Sequence, residues 1–197
     1  MWNDAEKLLL KDRYIGPLIK KYGPCKIKPS AKKEYFIDLV DAITSQQLSG
    51  KAATTIFERV KQKCGGNITP QKLKSLSTDK LRKCGLSYAK CSYVKDLSER
   101  VLTRKLLVTE LDRLSDEEIK KELIAVKGIG KWTAEMFLMF SLARPDVFPV
   151  DDLGIQKGMK ILLKRKTNPQ KLAIIAERWK PYRTIASWYV WKAVDKN

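Results

Sequence analysis

The chain has 197 residues, of which 40 are Lys or Arg and 22 are Asp or Glu, so its formal net charge at pH 7 is +18. A positive excess of this size opposes compaction unless a polyanion or salt offsets it, which makes nucleic acid the expected partner. No stretch approaches about 18 consecutive apolar residues and no signal-peptide pattern opens the chain, so we expect a soluble, intracellular protein without a membrane span.

The residue types available for catalysis and metal binding are few. There is no histidine, which removes the commonest general base and every Ser-His or Cys-His pair, so acid or base chemistry would depend on carboxylates. The four cysteines form no C-x-x-C pair, which argues against a zinc site. We expect free thiols in a reducing compartment and no metal bound by side chains.

The first half of the chain is predicted to form short helices separated by Gly and Pro. Gly16-Pro17 should split the first, basic segment into two pieces, and Thr69-Pro70 places a capping residue before a proline that can open a helix. Gln46 and Gln47 follow the second segment, where two long polar side chains could form an ordinary solvated helix end. The helical segments predicted in this half cover residues 4–21, 34–47, 50–63, 70–76, 78–85 and 88–106.

A Gly-x-Gly turn at residues 128–130 joins the next two predicted helices. The first begins at a capping box that starts at Ser115, and the second is an apolar helix over residues 131–143. Glycines permit a tight turn and leave the N–H groups of the following helix start uncovered, which attracts a phosphate. Lys127 and Lys131 add positive charge there. The alternative is a turn that only connects two packed helices.

Pro145 and Pro149 frame a loop that leads to Asp151 and Asp152. Either carboxylate would lie favourably at the start of the next predicted helix, so helix capping alone could explain both residues. The helices predicted after this loop cover residues 153–163, 168–179 and 182–194, and no strand alternation or repeat is present.

Two motifs in this region resemble a known family. Leu-x-x-Val-Lys-Gly-Ile-Gly-Lys-Trp-Thr-Ala at residues 123–134 and Phe-Pro-Val-Asp-Asp-Leu-Gly at residues 148–154 are similar to the hairpin and catalytic-aspartate segments of the helix-hairpin-helix DNA glycosylases. The resemblance is strongest to the 3-methyladenine DNA glycosylase II branch, which repairs alkylated DNA, and it runs from about residue 35 to the C-terminus. It implies an all-α, two-lobed fold with the active site between the lobes. The expected arrangement is a single domain, residues 1–197, with one lobe of residues 35–115 and the other of residues 1–34 with 116–197.

The resemblance also implies a reaction and the residues that perform it. A monofunctional glycosylase would flip an alkylated purine out of duplex DNA, hydrolyse its N-glycosidic bond and leave an abasic site for base excision repair. The second acidic position of the motif is the catalytic one, which assigns that role to Asp152 and leaves Asp151 as a neighbour that caps the helix, although the adjacent pair leaves the register open. Relatives that also cut the strand carry a lysine where this chain has Trp132.

Further site residues follow from the same resemblance. Trp132 and Trp191 correspond to tryptophans that border the base pocket, although core packing is the alternative for each, and Tyr189 and Met136 are weaker candidates. In the segment Ser-Gln-Gln-Leu-Ser, Gln46 would line the pocket mouth and the next residue would be the wedge that enters the duplex. The residues expected to bind DNA are Gln47, Lys127, Gly128, Ile129, Gly130, Lys131 and Thr133.

The resemblance also sets expectations for cofactors, partners and location. A monovalent cation held by backbone carbonyls near Val126 and Ile129 is expected when DNA is bound. Some relatives carry an iron–sulfur cluster on four cysteines near the C-terminus, but here no cysteine follows Cys91, so neither that cluster nor another cofactor is expected. The expected partner is double-stranded DNA with damaged bases, bound by a monomer in the cytoplasm or nucleoid of a prokaryote or in a eukaryotic nucleus. The competing interpretations are a non-catalytic helix-hairpin-helix module that binds DNA, and a glycosylase for another damaged base.

Overall fold

The structure is a computed structural model that describes residues 1–164 and 168–194. Its regular elements are helices and no β-strand occurs in those two ranges, which confirms the all-α prediction. No helix within them is both long enough and apolar enough to cross a bilayer. The α-helices of the described ranges are α1 (Asn3–Leu9), α2 (Ile15–Tyr22), α3 (Tyr35–Ser45), α4 (Gly50–Lys63), α5 (Pro70–Ser75), α6 (Thr78–Lys83), α7 (Tyr88–Leu102), α8 (Asp116–Ile124), α9 (Lys131–Met136), α10 (Leu153–Leu163), α11 (Pro169–Ala176) and α12 (Arg183–Lys192). Short 3-10 helices lie at Lys32–Glu34, Val108–Arg113 and Glu177–Trp179, and a π-helix at Phe137–Ser141.

The chain divides into two compact units. Unit 2 is residues 30–137, and unit 1 combines residues 1–29 with the described residues of the ranges 138–164 and 168–194. We expected α8 and the hairpin, the turn between α8 and α9, to lie with the N-terminal segment, but both belong to unit 2. One contact that joins the hairpin to this unit is the hydrogen bond that the backbone N–H of Lys127 donates to Asp96 of α7, at 2.9 Å.

Unit 2 is built on the apolar faces of α3 and α7. Leu39, Val40 and Ile43 of α3 have no exposed surface, and neither do Val94 and Leu97 of α7. Residues three or four positions apart lie on one face of a helix, so each helix presents an apolar stripe to this core. The two helices contact each other, and α5 and α6 also pack against α7.

Hydrogen bonds from side chains define several helix starts in unit 2. The predicted capping box is confirmed, because the Ser115 hydroxyl accepts from the backbone N–H of Glu118 at 3.3 Å and the Glu118 carboxylate accepts from the backbone N–H of Ser115 at 2.8 Å. Such caps satisfy N–H groups that lack an intrahelical partner. The other side-chain caps at helix starts in this unit come from Thr69, Ser77 and Ser87.

Unit 1 is built around α12, which packs against α2, α10 and α1. Six residues of α12 are wholly buried, and so is Trp179 in the 3-10 turn before it. The buried residues of this core are Ala5, Leu9, Ile15, Leu18, Ile19, Ile155, Met159, Leu172, Ala176, Trp179, Ile185, Ala186, Tyr189 and Val190. A helix that is apolar around most of its circumference is buried on most sides, as α12 is here.

The first helical segment breaks at a different place from the predicted one. We expected the break at Gly16-Pro17, but α2 starts at Ile15 and carries that dipeptide in its first turn. Asp12 explains the position, because its Oδ1 accepts from the backbone N–H groups of Tyr14 at 2.8 Å and Ile15 at 3.0 Å. Proline is tolerated in a first turn, where its missing N–H would have no helical partner.

The helix predicted over residues 131–143 changes its hydrogen-bonding pattern part-way. Its α-helical part, α9, ends at Met136, and residues 137–141 continue as a π-helix. Single-turn π segments inside helices are rare and frequently occur at functional sites. Apolar periodicity predicted the helix but not this change, because both forms bury a similar face.

Candidate functional site

Asp152 lies at the start of α10 and caps that helix with its side chain. Its Oδ1 accepts a hydrogen bond from the backbone N–H of Ile155 at 2.8 Å and another from the indole N–H of Trp191 at 2.8 Å. Asp152 is half-buried and Asp151 is exposed. The capping role that we expected of Asp151 therefore belongs to Asp152, and two donors from different elements fix the orientation of this one carboxylate.

Gly154 permits this arrangement. A Cβ atom at this position would lie 2.9 Å from Cδ1 and Nε1 of Trp191 and 3.0 Å from Oδ1 of Asp152. These distances are shorter than carbon makes to such atoms, so a larger residue at this position would displace the indole or the carboxylate. Gly154 is a site residue that we did not predict, although a glycine in the first turn of an apolar helix is an available signal.

The loop that leads to Asp152 is tied to the start of α12, the helix that carries Trp191. The Thr184 hydroxyl donates to the Arg144 carbonyl at 2.6 Å and accepts from the backbone N–H of Val147 at 2.9 Å. Arg183 adds a two-pronged ion pair to Asp146, with N–O distances of 2.8 and 2.9 Å. Such forked pairs fix geometry as well as charge, so α12 positions both the loop and the indole. Sequence reasoning missed these anchors, because their partners lie about forty positions away.

The two candidate tryptophans differ in their exposure. Trp191 is half-buried, and its ring centroid lies 5.8 Å from that of Phe140 with a tilt of 32°. Trp132, on α9 in unit 2, is 44% exposed, which is too much for a core residue. Core packing was the alternative for each residue, and the exposure excludes it for Trp132.

Tyr189, a weaker pocket candidate, is instead part of the core of unit 1. Its side chain has no exposed surface, and its hydroxyl oxygen lies 2.9 Å from both Glu6 Oε1 and the Gly23 carbonyl oxygen. Burial and then the hydrogen bond to Glu6 raise the pKa of this hydroxyl. Tyr189 therefore holds the N-terminal segment in place. Met136, the other weak candidate, is half-buried.

The hairpin in unit 2 has an open side and a supported side. Gly128 has a φ of +80°, and a Cβ there would overlap the Tyr93 ring of α7, so only glycine fits. Gly130 has φ −97° and open space around it, and it precedes α9 without a capping side chain. Lys127 and Lys131 are both exposed. A helix start with adjacent lysines on an open surface can receive an anion such as a phosphate.

Asp96 fixes the other side of the hairpin. Its Oδ2 accepts from the backbone N–H of Lys127 at 2.9 Å and from Arg100 Nε at 2.9 Å. Partial burial alone would raise the pKa of Asp96, but these hydrogen bonds and the nearby positive charges lower it below its usual value. The hairpin is thus attached to α7 by a charged hydrogen bond.

Two predicted DNA-binding residues have buried side chains. Ile129 is 3% exposed and Thr133 is 4% exposed. The Thr133 hydroxyl lies 3.4 Å from the side-chain nitrogen of Gln46 and faces the inside of unit 2. Any contact of these two residues with a phosphate would have to come from their backbone.

Gln46 and Gln47, which follow α3, differ in their surroundings. The Gln46 amide nitrogen donates to the Gly128 carbonyl at 2.8 Å, whereas Gln47 is exposed and has a φ of +57°. Lys90 of α7 donates to the carbonyls of Thr44 at 2.8 Å and Gln46 at 2.6 Å. Burial lowers the pKa of Lys90. Sequence reasoning did not predict the contact of Gln46 with the hairpin.

The cysteines have no role in this arrangement. All four are free thiols, three buried and Cys25 half-buried, and burial raises the pKa of Cys25 to about 11. Among residues 1–164 and 168–194, no three His, Cys, Asp or Glu side chains are grouped in a way that could hold a metal ion.

Comparison with known proteins gives this arrangement a family. Residues 40–184 match the family described as "HhH-GPD superfamily base excision DNA repair protein". The chain belongs to this superfamily. The match begins in α3 and ends in α12, so it includes the Gln46-Gln47 segment, the hairpin and Asp152.

Proteins similar to this chain carry names that refer to 3-methyladenine glycosylases. DNA-3-methyladenine glycosylase 1 of Schizosaccharomyces pombe is 40% identical over 180 residues, which cover 89% of this chain and 78% of that protein. The structure of S. pombe 3-methyladenine DNA glycosylase (Mag1) in complex with abasic DNA matches with a TM-score of 0.84 and 35% identity over 96% of this chain and 95% of that one. A DNA-3-methyladenine glycosidase from Bacillus halodurans matches with a TM-score of 0.83 and 37% identity, covering 98% of this chain and 89% of that one.

The predicted site residues of this HhH-GPD protein fall into two groups. In unit 1 the structure brings Asp152 and Trp191 into direct contact. In unit 2 it brings Gln46, Gly128 and Thr133 together. The other predicted DNA-binding residues with exposed side chains or open backbone, Gln47, Lys127, Gly130 and Lys131, also lie in unit 2.

Proposed function

We propose that the protein is a monofunctional DNA glycosylase that removes alkylated purines of the 3-methyladenine type from duplex DNA and leaves an abasic site. The observation that carries this proposal is the Asp152 carboxylate, oriented by Ile155 and Trp191 within a superfamily of base excision repair proteins. The names of the similar proteins support the alkylated purine as substrate. The protein would act as a monomer wherever the genome lies, in nucleoid or nucleus.

Asp152 would stabilise the positive charge that forms on the sugar. As the N-glycosidic bond breaks, the sugar becomes similar to an oxocarbenium ion. A carboxylate about 4 Å from that charge contributes roughly 4 kcal/mol at an effective dielectric constant near 20, which is about a thousandfold in rate. Asp152 would also orient or deprotonate the attacking water. An alkylated purine already carries positive charge and leaves readily, so the reaction needs no strong general acid, which suits a chain without histidine.

Two tryptophans support the substrate class and the type of reaction. The Trp191 ring, whose N–H is bound to Asp152, would lie against the cationic base, where cation–π attraction reaches about 2 kcal/mol once water is excluded. Trp132 stands where strand-cutting relatives have a lysine, and it is also a candidate ring for the base. The nearest amine, Lys131, lies one residue earlier, about 100° around the helix, and its Nζ is 3.9 Å from Glu135. Release of the base without strand cleavage follows.

The hairpin would bind the DNA backbone. Lys127 and Lys131 beside the open helix start would receive phosphates, and Gln47 would enter the duplex where the base has left. A monovalent cation held by the carbonyls of Val126 and Ile129 would add positive charge there. Hard cations take such oxygen ligands, and the Gly128 carbonyl between them is engaged by Gln46. Phosphate contacts position a protein without reading sequence, which suits a repair enzyme.

Measurement of base release tests the proposed function. A methylated duplex is incubated with the protein in single turnover, and both the free base and the alkali-sensitive abasic sites are counted. Asp152→Asn should lower the rate constant about a thousandfold and leave the affinity for DNA nearly unchanged, because it removes charge next to the sugar. Asp151→Asn is the matched control and should lower the rate constant less than about threefold.

The competing interpretations give different results in the same assay. No base release by the unsubstituted protein across a panel of lesions would favour a DNA-binding module without catalysis. A covalent complex trapped by borohydride would show a strand-cutting enzyme and would contradict the assignment made from Trp132. Unchanged activity in Asp152→Asn would move the catalytic role to Asp151 or to another group.

A further inference from the structure

Gln46 lies between the two segments of unit 2 that the proposed function assigns to DNA, namely the hairpin and the loop that carries Gln47. We propose that Gln46 is a positioning residue that couples these two segments. Entry of Gln47 into the duplex and binding of phosphate by the hairpin would then both depend on the hydrogen bond between the Gln46 side chain and the hairpin. The inference rests on the proposed function only in taking both segments as DNA contacts.

The side chain of Gln46 is attached to the hairpin. A backbone carbonyl can only accept hydrogen bonds, so the atom 2.8 Å from the Gly128 oxygen must be the amide nitrogen of Gln46, which donates. The same nitrogen lies 3.4 Å from the Thr133 hydroxyl at the start of α9. The donor end of Gln46 is therefore directed at the hairpin, and its effect on bound DNA would pass through the hairpin backbone.

The main chain of Gln46 is fixed independently. Lys90 donates to the carbonyls of Thr44, in the last turn of α3, and of Gln46, the C-cap of that helix, and so holds the chain where α3 ends. The next residue, Gln47, has a φ of +57°, a conformation that a non-glycine residue keeps only when its surroundings hold it. The position of the exposed Gln47 thus depends on the bonds made by Gln46.

The hairpin rests on the same face of α7. Tyr93 lies against Gly128, and Asp96 accepts from the backbone N–H of Lys127. Lys90, Tyr93 and Asp96 are spaced three residues apart, which places them along one side of the helix. These contacts and the Gln46 amide form a closed ring through the loop, α7 and the hairpin. A displacement of either DNA-contacting segment would be transmitted to the other.

Double-mutant cycles separate positioning from direct contact. The readout is the dissociation constant for a duplex that contains a stable abasic-site analogue, measured for Gln46→Met alone and combined with Lys131→Ala or with Gln47→Ala. Gln46→Met keeps the length of the side chain and removes its donor, so we expect it to weaken binding about fivefold to tenfold. A residue that acts through both segments must lose part of its effect once either contact has been removed.

The proposal predicts that each double variant departs from the product of its single effects by more than about twofold. Additivity within about twofold in either pair overturns it, because Gln46 would then act alone or through one segment only. Gln62→Met, the same change at an exposed position of α4, is the matched control and should be additive in both pairs. If Gln46→Met does not fold, Gln46→Glu with Gln62→Glu as its control repeats the test, since an ionised carboxylate has no donor. Base release is not part of this readout, so failure of the proposed reaction and failure of the coupling are distinguishable.

Discussion

Trp191 combines two roles that substitution can separate. Its indole N–H orients Asp152, and its ring is a candidate surface for the cationic base. Trp191→Phe keeps an aromatic ring and removes the donor. Because hydrogen bonds to charged groups contribute about 1.5 kcal/mol or more, the single-turnover rate constant should fall about tenfold for charged and neutral bases alike. Trp188→Phe, on the same helix and half-buried, is the matched control and should be nearly silent.

Removal of the whole ring should add a dependence on substrate charge. Trp191→Ala should lower release of a cationic methylated purine more than release of neutral hypoxanthine, because the cation–π contact is lost only for the former. The comparison uses single-turnover rate constants for the two substrates. An equal loss of rate on both substrates in Trp191→Ala would show that Trp191 only orients Asp152. Full activity of Trp191→Phe would show that only the ring of Trp191, and not its N–H group, contributes to the reaction.

At the residue scale, the sequence predicted what lies within a local motif and missed what depends on distant pairing. Asp152 could be assigned because it stands at a fixed place in Phe-Pro-Val-Asp-Asp-Leu-Gly, next to the helix that it caps. The partner of Gln46 could not, since Gly128 lies 82 positions away and nothing in either segment encodes the other. Thr133 was expected to reach phosphate, but α9 turns its hydroxyl towards Gln46.

At the element scale, α7 supports the hairpin through a carboxylate whose ionisation has a measurable consequence. The pKa of Asp96 is lower in the folded protein than in the unfolded chain, so its ionised form contributes stability above the unfolded value of about 4. That contribution is lost as pH falls through the folded pKa. Asp96→Asn should therefore lower the free energy of unfolding by about 1 to 2 kcal/mol at pH 7, with a difference from the parent protein that shrinks below about pH 4.

Urea unfolding at pH 7, 5, 4 and 3.5 measures this difference. Asp79→Asn, an exposed carboxylate in the first turn of α6, is the control and should change stability by less than about 0.5 kcal/mol at each pH. A difference for Asp96→Asn that stays constant from pH 7 to 3.5 would show that the charge of Asp96 does not hold the hairpin.

Helix boundaries were predicted where the deciding signal is local and has no competitor. Ser115 with Glu118, and Asn168 before Pro169, are short-range signals, and both open helices as expected. The first break was misplaced because Asp12 supplies a cap that competes with Gly16-Pro17. The change to a π-helix after Met136 has no comparable local signal, since the apolar pattern continues through it.

At the scale of the whole molecule, periodicity was enough for the all-α class but not for the division into units. A 3.6-residue apolar repeat reports which face of each helix is buried, whichever neighbour buries it. The assignment of α8 and the hairpin to unit 2 depends on contacts such as that between Lys127 and Asp96, 31 positions apart. Net charge is also a property of the whole molecule. With a formal net charge of +18, repulsion among the excess positive side chains opposes the folded state.

This charge predicts opposite effects of salt on the protein alone and on its complex. Salt screens self-repulsion, so the thermal midpoint of the free protein should rise between about 20 and 200 mM NaCl. An undamaged duplex at about 100 times its dissociation constant should raise the midpoint at low salt by about 5 to 10 °C, since it stabilises by roughly 2.7 kcal/mol. That increment should disappear at high salt, because the logarithm of the binding constant falls with the logarithm of the salt concentration, with a slope of about −0.9 for each phosphate that the protein neutralises.

An uncharged peptide nucleic acid duplex is the control and should raise the midpoint at neither salt concentration. A free-protein midpoint that falls with salt would show that the excess positive charge does not oppose folding, and a duplex effect that persists at high salt would show that phosphate contacts do not dominate binding.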